Sequence, residues 1–330
     1  MNVLYTCDNN YVWLMGISAI SMFENNKEII DLDVYLIGEN ISDENKQILA
    51  DIGEKYNRRI TVFDVPQLDI PDALVSARWP LSAFIRLYAG ELLPDSFNKI
   101  LYLDCDTIIY GSLSTLDNWD VSEKVFWGVK DCIGKEYKKN IGIEGNGLYV
   151  NAGVLLINLS KLRRISVKDK LASYMSKYEK LISFADQDVL NGAFKGSIGV
   201  LPPQYDVMTI VATYSYEDIV RLRKPTNYYS EEEIINAVTN PILIHYTTNM
   251  LTVRPWFSNT NHPLSEKFRQ YMSISPWSGR VLSEMHFIAK EAKIIKLVNC
   301  LPPKICKRVL GKLHSTIKPL VVRIKAHIKV

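Results

Sequence analysis

Two observations predict an α/β fold with a mainly parallel sheet flanked by helices. The first 65 residues alternate apolar strands, polar turns and amphipathic helices, which is how βαβ units are written. Further along, Lys99–Tyr110 reads KILYLDCDTIIY, in which Ile100–Leu103 is an unbroken apolar run of the kind that suits a strand buried on both faces. The chain has 330 residues, 47% hydrophobic and 23% charged. That is globular composition with ample chain for a large core.

Asn2–Cys7 is the first strand, ending in the polar Asp8-Asn9-Asn10, and a helix is predicted over Tyr11–Phe23. Leu32–Ile37 is a second strand. Ser42 then caps a helix running to about Tyr56, and Ile60–Val65 is a third strand. Pro66–Trp79 reads as loop. Leu81–Leu93 reads as one buried helix in which Arg86 is unusual. After the Lys99 strand come a strand at Val125–Val129, a flexible Gly142–Gly147 loop and the apolar strand Asn151–Asn158. An amphipathic helix over Leu159–Glu179, a short helix over Ala185–Phe194 and a last strand at Ile242–Ile244 follow. From Pro263 strand signals stop.

Charge is uneven. Residues 280–330 hold 12 Lys and Arg against 2 acids, a net of +10, so the remainder carries −7 against the overall +3. Five cysteines without a CxxC pair suit a reducing compartment. No signal peptide and no apolar run of about 18 residues is seen, so a cytoplasmic chain without a transmembrane helix is expected.

The chemistry concentrates at Asp104-Cys-Asp106, where the apolar run stops. Alternation in an extended segment would point both carboxylates one way and Cys105 the other. Two acids at the carboxyl end of a buried strand repel unless a cation joins them, and a hard divalent metal gripping a diphosphate would do so. Asp31-Leu-Asp33, at a strand entrance, reads as solvated turn. Asp186-Gln-Asp188 opens a helix, where a cap and a functional role compete. His245 ends an apolar run, ordinarily a structural position, but it could be a third ligand; with imidazole the set suits Mn²⁺ better than Mg²⁺, though Mg²⁺ stays open. Asp8 and Asn10 are ordinary turn residues and equally groups able to read a uracil edge. Arg254-Pro-Trp256 is either surface packing or a cation beside phosphate.

Taken in order, YTCDNNY, SAFIRLYAGELLP, ILYLDCDTII, NAGVLLINL, DQDVLNGAF and LIHYT…RPW resemble the family 8 retaining glycosyltransferases, the group of bacterial lipooligosaccharide α-galactosyl- and α-glucosyltransferases and glycogenin. The resemblance runs from Asn2 to about Trp256. It implies a single-domain type A glycosyltransferase fold, Rossmann-like, over residues 1–262, with residues 263–330 as a helical, basic extension. It also implies transfer of galactose or glucose from a UDP-sugar to a glycan acceptor of a cell-surface polysaccharide or lipopolysaccharide, forming an α-linkage.

By the same resemblance, Asp104, Asp106 and His245 would hold Mn²⁺ against the diphosphate. Asp8 and Asn10, with Thr6 nearby, would contact uracil and ribose. Arg86, Asn151, Asp186 and Gln187 would surround the donor sugar, with Asp131 a further sugar or acceptor contact and Gln187 and Asp186 nearest the reacting carbon. Arg254 matches a basic residue, usually Lys, that covers the diphosphate. Relatives have a short H-x-x-G-x-x-K-P-W-like closing segment; here His245 to Trp256 is longer and lacks the Gly.

The tail from Glu284 sets Lys against Ile, Leu and Val at helical spacing. It reads either as solvated helices packed on the body or as a surface that docks on an anionic membrane, placing the protein peripherally on the inner face of the cell membrane beside a saccharide or lipid-linked acceptor. Nucleic acid is not expected as a partner, because aromatic interleaving is sparse. Two rival functions are a nucleotidyltransferase, which would want a Gly-rich basic loop absent from Thr6–Tyr11, and a non-catalytic nucleotide-sugar-binding scaffold, which would have no need of Asp104, Asp106, His245 and Gln187 together.

Overall fold

The computed structural model describes residues 1–65, 82–249, 251–286 and 302–328; the expected loop at Pro66–Trp79 lies outside them. Seven strands form the main sheet in the order β3-β2-β1-β4-β7-β6-β8. They are β1 (Asn2–Asp8), β2 (Asp33–Glu39), β3 (Arg59–Asp64), β4 (Lys99–Leu103), β6 (Phe126–Lys130), β7 (Val150–Asn158) and β8 (Ile198–Val200). Only β7 runs against its neighbours β4 and β6; the other pairs are parallel. A small second sheet, β5-β10-β9, joins Thr107–Ile109, Leu243–His245 and Val207–Met208.

The sheet is covered on both faces, which is why its central strands read as continuous apolar runs rather than alternating ones. On one side Val12–Asn25 packs its Leu14, Ile17 and Met22 with Val3, Leu101 and Leu103. On the other, Val167–Tyr178 and Ala185–Ala193 pack Leu171, Met175 and Leu190 with Leu4, Tyr102 and Leu155. Ser42 caps Asp43–Lys55 by accepting from the Asn45 amide. Ser265–Ser273, which the sequence reading places in the C-terminal region, packs on Val12–Asn25. Phe268 meets Trp13 edge-on at 6.3 Å, and Asn25 donates to the Tyr271 hydroxyl at 2.6 Å.

Two expected helices are broken. The segment expected as one helix over Leu81–Leu93 is α-helical at Ser82–Ile85, 3-10 at Arg86–Tyr88 and α-helical again at Ala89–Leu92. The break falls at Arg86, whose guanidinium turns inward to bond the Ala83 and Ala152 carbonyls at 3.0 and 2.6 Å. The helix expected over Leu159–Glu179 divides into Leu159–Leu162 and Val167–Tyr178. Ser166 restarts it as an N-cap, its hydroxyl accepting from the Asp169 amide. The Gly142–Gly147 loop, expected to be flexible, is tied down. Buried Lys138 donates to the Gly147 and Thr226 carbonyls at 2.8 and 2.6 Å, and burial pushes its pKa down to about 8.

The entry to Ala185–Ala193 is strained. Ala185 has φ of 43°, in the left-handed region where a Cβ costs about 1 kcal/mol. Asp188 holds the turn. Its buried carboxylate accepts from the Ser183 and Phe184 amides at 2.7 and 2.8 Å and from the Tyr149 hydroxyl at 2.7 Å. Of the Asp186-Gln-Asp188 triplet, Asp188 therefore has the capping role. Asp188→Ala would orphan the buried Tyr149 hydroxyl and two partly buried amides, so we expect a loss of about 3 kcal/mol, read by urea unfolding. A loss below about 0.5 kcal/mol would show that the turn does not depend on this carboxylate.

Candidate active site

Strand register builds the site. β4 ends at Leu103, and its pairing with β7 places Asp104 opposite Gly153, whose carbonyl accepts the Asp104 amide at 2.7 Å. The chain then turns through Asp104-Cys105-Asp106 into β5. The triplet is a turn, not the extended segment assumed from alternation. The turn still sends Cys105 inward toward the Thr6 carbonyl at 3.7 Å and gathers the two carboxylates. β5 pairs antiparallel with β10, setting His245 opposite Thr107, and the Tyr246 amide bonds the Asp106 carbonyl at 2.9 Å. One ligand atom each from Asp104, Asp106 and His245 lies within 4.8 Å of the others. His245 Nε2 is 3.2 Å from Asp106 and 3.7 Å from Asp104.

The other nitrogen of His245 is fixed by a residue the sequence reading missed. Nδ1 lies 3.0 Å from Asp206 Oδ1. Asp206 is fully buried, and its second oxygen has no hydrogen-bond partner among the described residues. Burial pushes the Asp206 carboxyl up. Burial alone would push the His245 imidazole down, but Asp206 and Asp106 outweigh it and carry its pKa well above the ordinary value. A carboxylate behind a His with its far nitrogen facing two more carboxylates is a donor set that fits a hard or borderline divalent cation. No local signal marks Asp206. Only the parallel pairing of β9 with β10, which joins Val207 to Ile244, brings it there.

Arg86 is the other organiser. It is 6% exposed and lies 3.0 Å from Asp104 and 3.3 Å from Asp186, with its guanidinium 4.2 Å from the Tyr102 ring centroid. Burial opposes its charge, but Asp104 and Asp186 hold its pKa above the ordinary value. Burial also raises the Asp186 carboxyl to about 6, against the pull of Arg86. Tyr102 donates to Asp104 at 2.7 Å and contacts Thr6 Oγ1 at 3.1 Å.

Gln187 is engaged at both ends. Its Oε1 accepts from Asn151 Nδ2 at 3.0 Å and from the Ala152 amide at 3.2 Å. Its Nε2 donates to Asp131 Oδ2 at 2.8 Å and to the Tyr149 hydroxyl at 3.2 Å. Asn151 in turn accepts from the Gly153 amide at 2.7 Å. Arg254 Nη1 lies 3.6 Å from Asp106, and its guanidinium bonds Thr248 and sits 5.1 Å from the Trp256 ring.

A cleft of 320 Å³ joins these groups, taking in Arg86, Asp104, Asp106, Asp131, Asn151, Asp186, Gln187, His245 and Arg254. That is the size of a small-molecule site, about 300–1,000 Å³. Thr6, Asp8 and Asn10 do not line it. They lie at the carboxyl end of β1, next to β4, where Asp8 Oδ1 accepts the Asn10 amide at 2.8 Å in a local turn. The sequence reading also missed Gly153. A Cβ there would overlap the His245 ring and stand 2.7 Å from Asp104 Oδ2. We expect Gly153→Ala to weaken Mn²⁺ binding at least about tenfold, read by paramagnetic resonance titration of free Mn²⁺. Unchanged affinity in a folded variant would mean that these side chains do not share an ion.

A family model, "Glycosyl transferase family 8", matches residues 2–260. The chain is 28% identical over 280 residues to a lipopolysaccharide 1,2-glucosyltransferase of Escherichia coli (strain K12), covering 84% of this chain and 79% of that one. It is 24% identical over 281 residues to General stress protein A of Bacillus subtilis (strain 168), covering 84% and 95%. Among solved structures it resembles the galactosyltransferase LgtC in complex with donor and acceptor sugar analogs, with a TM-score of 0.70 at 23% identity, covering 85% of this chain and all of that one.

Proposed function

Because this chain belongs to glycosyl transferase family 8, we propose that its cleft transfers galactose or glucose from a UDP-sugar to a glycan acceptor with retention, as in lipopolysaccharide assembly. The observation that carries this reading is the convergence of Asp104, Asp106 and His245 beside Arg86, Asp186 and Gln187 in one cleft. The lipopolysaccharide 1,2-glucosyltransferase and the lipopolysaccharide 1,3-galactosyltransferase of Salmonella typhimurium (strain LT2), 24% identical over 285 residues, support the acceptor class.

Asp104, Asp106 and His245 would hold Mn²⁺, or Mg²⁺ in its place, which when bound supplies Lewis-acid stabilisation of charge on the departing diphosphate. Arg254, beside Asp106 and braced on Trp256, is a cation at the place where that charge grows. Thr6, Asp8 and Asn10 form a separate polar edge at the end of β1 for the uracil and ribose. Arg86 neutralises Asp104 and Asp186, so that the acids can sit near a diphosphate. Asn151 and Asp131 fix the Gln187 amide, which with Asp186 faces the donor sugar. With its oxygen accepting two bonds and its nitrogen donating two, Gln187 is held in place with no lone pair free to attack a sugar carbon. This favours attack by the acceptor on the face the leaving group vacates, assisted by the departing phosphate. The test is release of UDP from a panel of nucleotide sugars with Mn²⁺ present or chelated. We expect one donor to be turned over only with metal and Asp106→Ala to lose at least about a hundredfold. Metal-independent turnover, or none with any donor and no UDP binding, would overturn the reading.

We also propose that the C-terminal helices dock this chain on an anionic membrane. Pro303–Lys312 and Lys318–Ile328 continue one another through a π-helical turn at Leu313–Ile317. One face packs on the body. The other leaves Ile305, Val309, Leu313, Ile317, Ile324 and Ile328 exposed, interleaved with exposed Arg308, Lys312, Lys318 and Lys325. An apolar stripe flanked by cations matches the acyl boundary of an anionic bilayer. Among the described residues no helix is long and apolar enough to cross a membrane. Wild-type protein should sediment with phosphatidylglycerol vesicles, and the combined Ile305→Ser, Val309→Ser and Ile324→Ser variant should stay in the supernatant. Equal sedimentation of the two refutes membrane docking.

A further inference from the structure

Among the described residues three arginines line the cleft: Arg86, Arg254 and Arg223. Arg86 is paired with Asp104 and Asp186, and Arg254 with Asp106. Arg223 is in no ion pair among the described residues. Instead its Nη1 lies 3.3 Å from Nδ1 of His314 and also contacts Nε2.

His314 arrives from the C-terminal helices, on the π-helical turn, a rare distortion that is frequent at functional sites. Burial, together with the charges of Arg223 and Lys318, lowers its pKa to about 3, so its ring is neutral and can accept from the guanidinium. The tail is seated for this contact. Gly311 packs on the Arg221 carbonyl so closely that a Cβ would collide with it, Lys307 pairs with Asp218, and Asn140 donates to the Pro319 carbonyl at 2.9 Å.

Arg223 borders the stretch that follows Asp131. The Arg223 carbonyl would stand 2.9 Å from a Cβ at Gly134. Hydrogen bonds run from the Asp104 amide through Gly153 and Asn151 to Gln187 and on to Asp131, and Cys132, next in the chain, lines the same cleft as Arg223. The cleft that Arg223 lines also takes in the apolar Cys132, Ile133, Phe184, Met208 and Ile210. A half-buried cation with no carboxylate of its own, in a partly apolar recess, is a place for a ligand's anion.

We propose that Arg223, positioned by His314, binds a phosphate or carboxylate carried by the acceptor. The inference rests on the donor reading above, so the C-terminal helices would serve the transfer site on one face while offering the apolar stripe on the other. The test is calorimetry on the full chain saturated with UDP and Mn²⁺, so that the diphosphate site is filled. Mannose 6-phosphate, glucuronate and uncharged methyl glucoside are titrated in turn. At least one anionic sugar should bind about tenfold or more tighter than methyl glucoside, and which one does so separates phosphate from carboxylate. Arg223→Gln should abolish the difference and Arg223→Lys should keep part of it. His314→Ala should reduce the difference, and His314→Asn, which retains an acceptor, should restore some of it. Thermal unfolding of each variant reports whether it is folded. Equal affinities in the wild type, including no measurable binding of any sugar, overturn the proposal, as does a preference that survives Arg223→Gln. Failure of UDP itself to bind would overturn the donor reading and this inference with it.

Discussion

Arg86 sits between two carboxylates that belong to different parts of the chain. Asp104 follows a central strand and Asp186 lies in the first turn of the helix Ala185–Ala193, yet one guanidinium lies within 3.3 Å of both. Burying that cation is costly, and the two acids together with the Ala83 and Ala152 carbonyls offset the cost. The local backbone follows from this demand. The segment leaves α geometry for a 3-10 turn at Arg86 because the side chain must reach inward. The ring of Tyr102 stacks against the guanidinium, and its hydroxyl passes the connection on to Asp104 and Thr6. Remove the cation and Asp186 loses the one ion pair it has among the described residues, while Asp104 keeps the Tyr102 hydroxyl and the neighbouring His245.

The site also depends on having two sheets rather than one. The large sheet supplies Asp104 and, through β7, Asn151 and Gly153. The small sheet supplies His245 and, through β9, the approach to Asp206. The turn Asp104-Cys105-Asp106 is where the chain passes from one sheet to the other, so the two carboxylates stand at the seam. Neither sheet alone brings His245 Nε2 to both.

The main strands were legible because a strand buried on both faces shows as an apolar run, and the turn residues around the strands are equally local signals. The Asp104-Cys-Asp106 triplet stood out because carboxylates ending such a run are costly without a partner. His245, by contrast, is a His after three apolar residues, a position that is ordinarily structural, so its residue pattern left the ligand role only as one alternative. Asp206 and Arg223 left no trace in the sequence, since each acts through a partner 39 or 91 positions away. The breaks at Arg86 and near Ser166 were missed for the same reason in the first case, and in the second because a cap restarting a helix looks like one more polar residue on its face. The short strands β5 and β9 lacked the length for any period to show.

Gly153 bears on how this architecture can change over evolutionary time. Its α-carbon stands where a Cβ would run into His245 and Asp104, so the position is closed to other residues so long as both side chains keep these places. A chain of this fold with another residue there must place these two side chains differently, so a change of function can begin at a backbone position while every charged group of the cleft is unaltered.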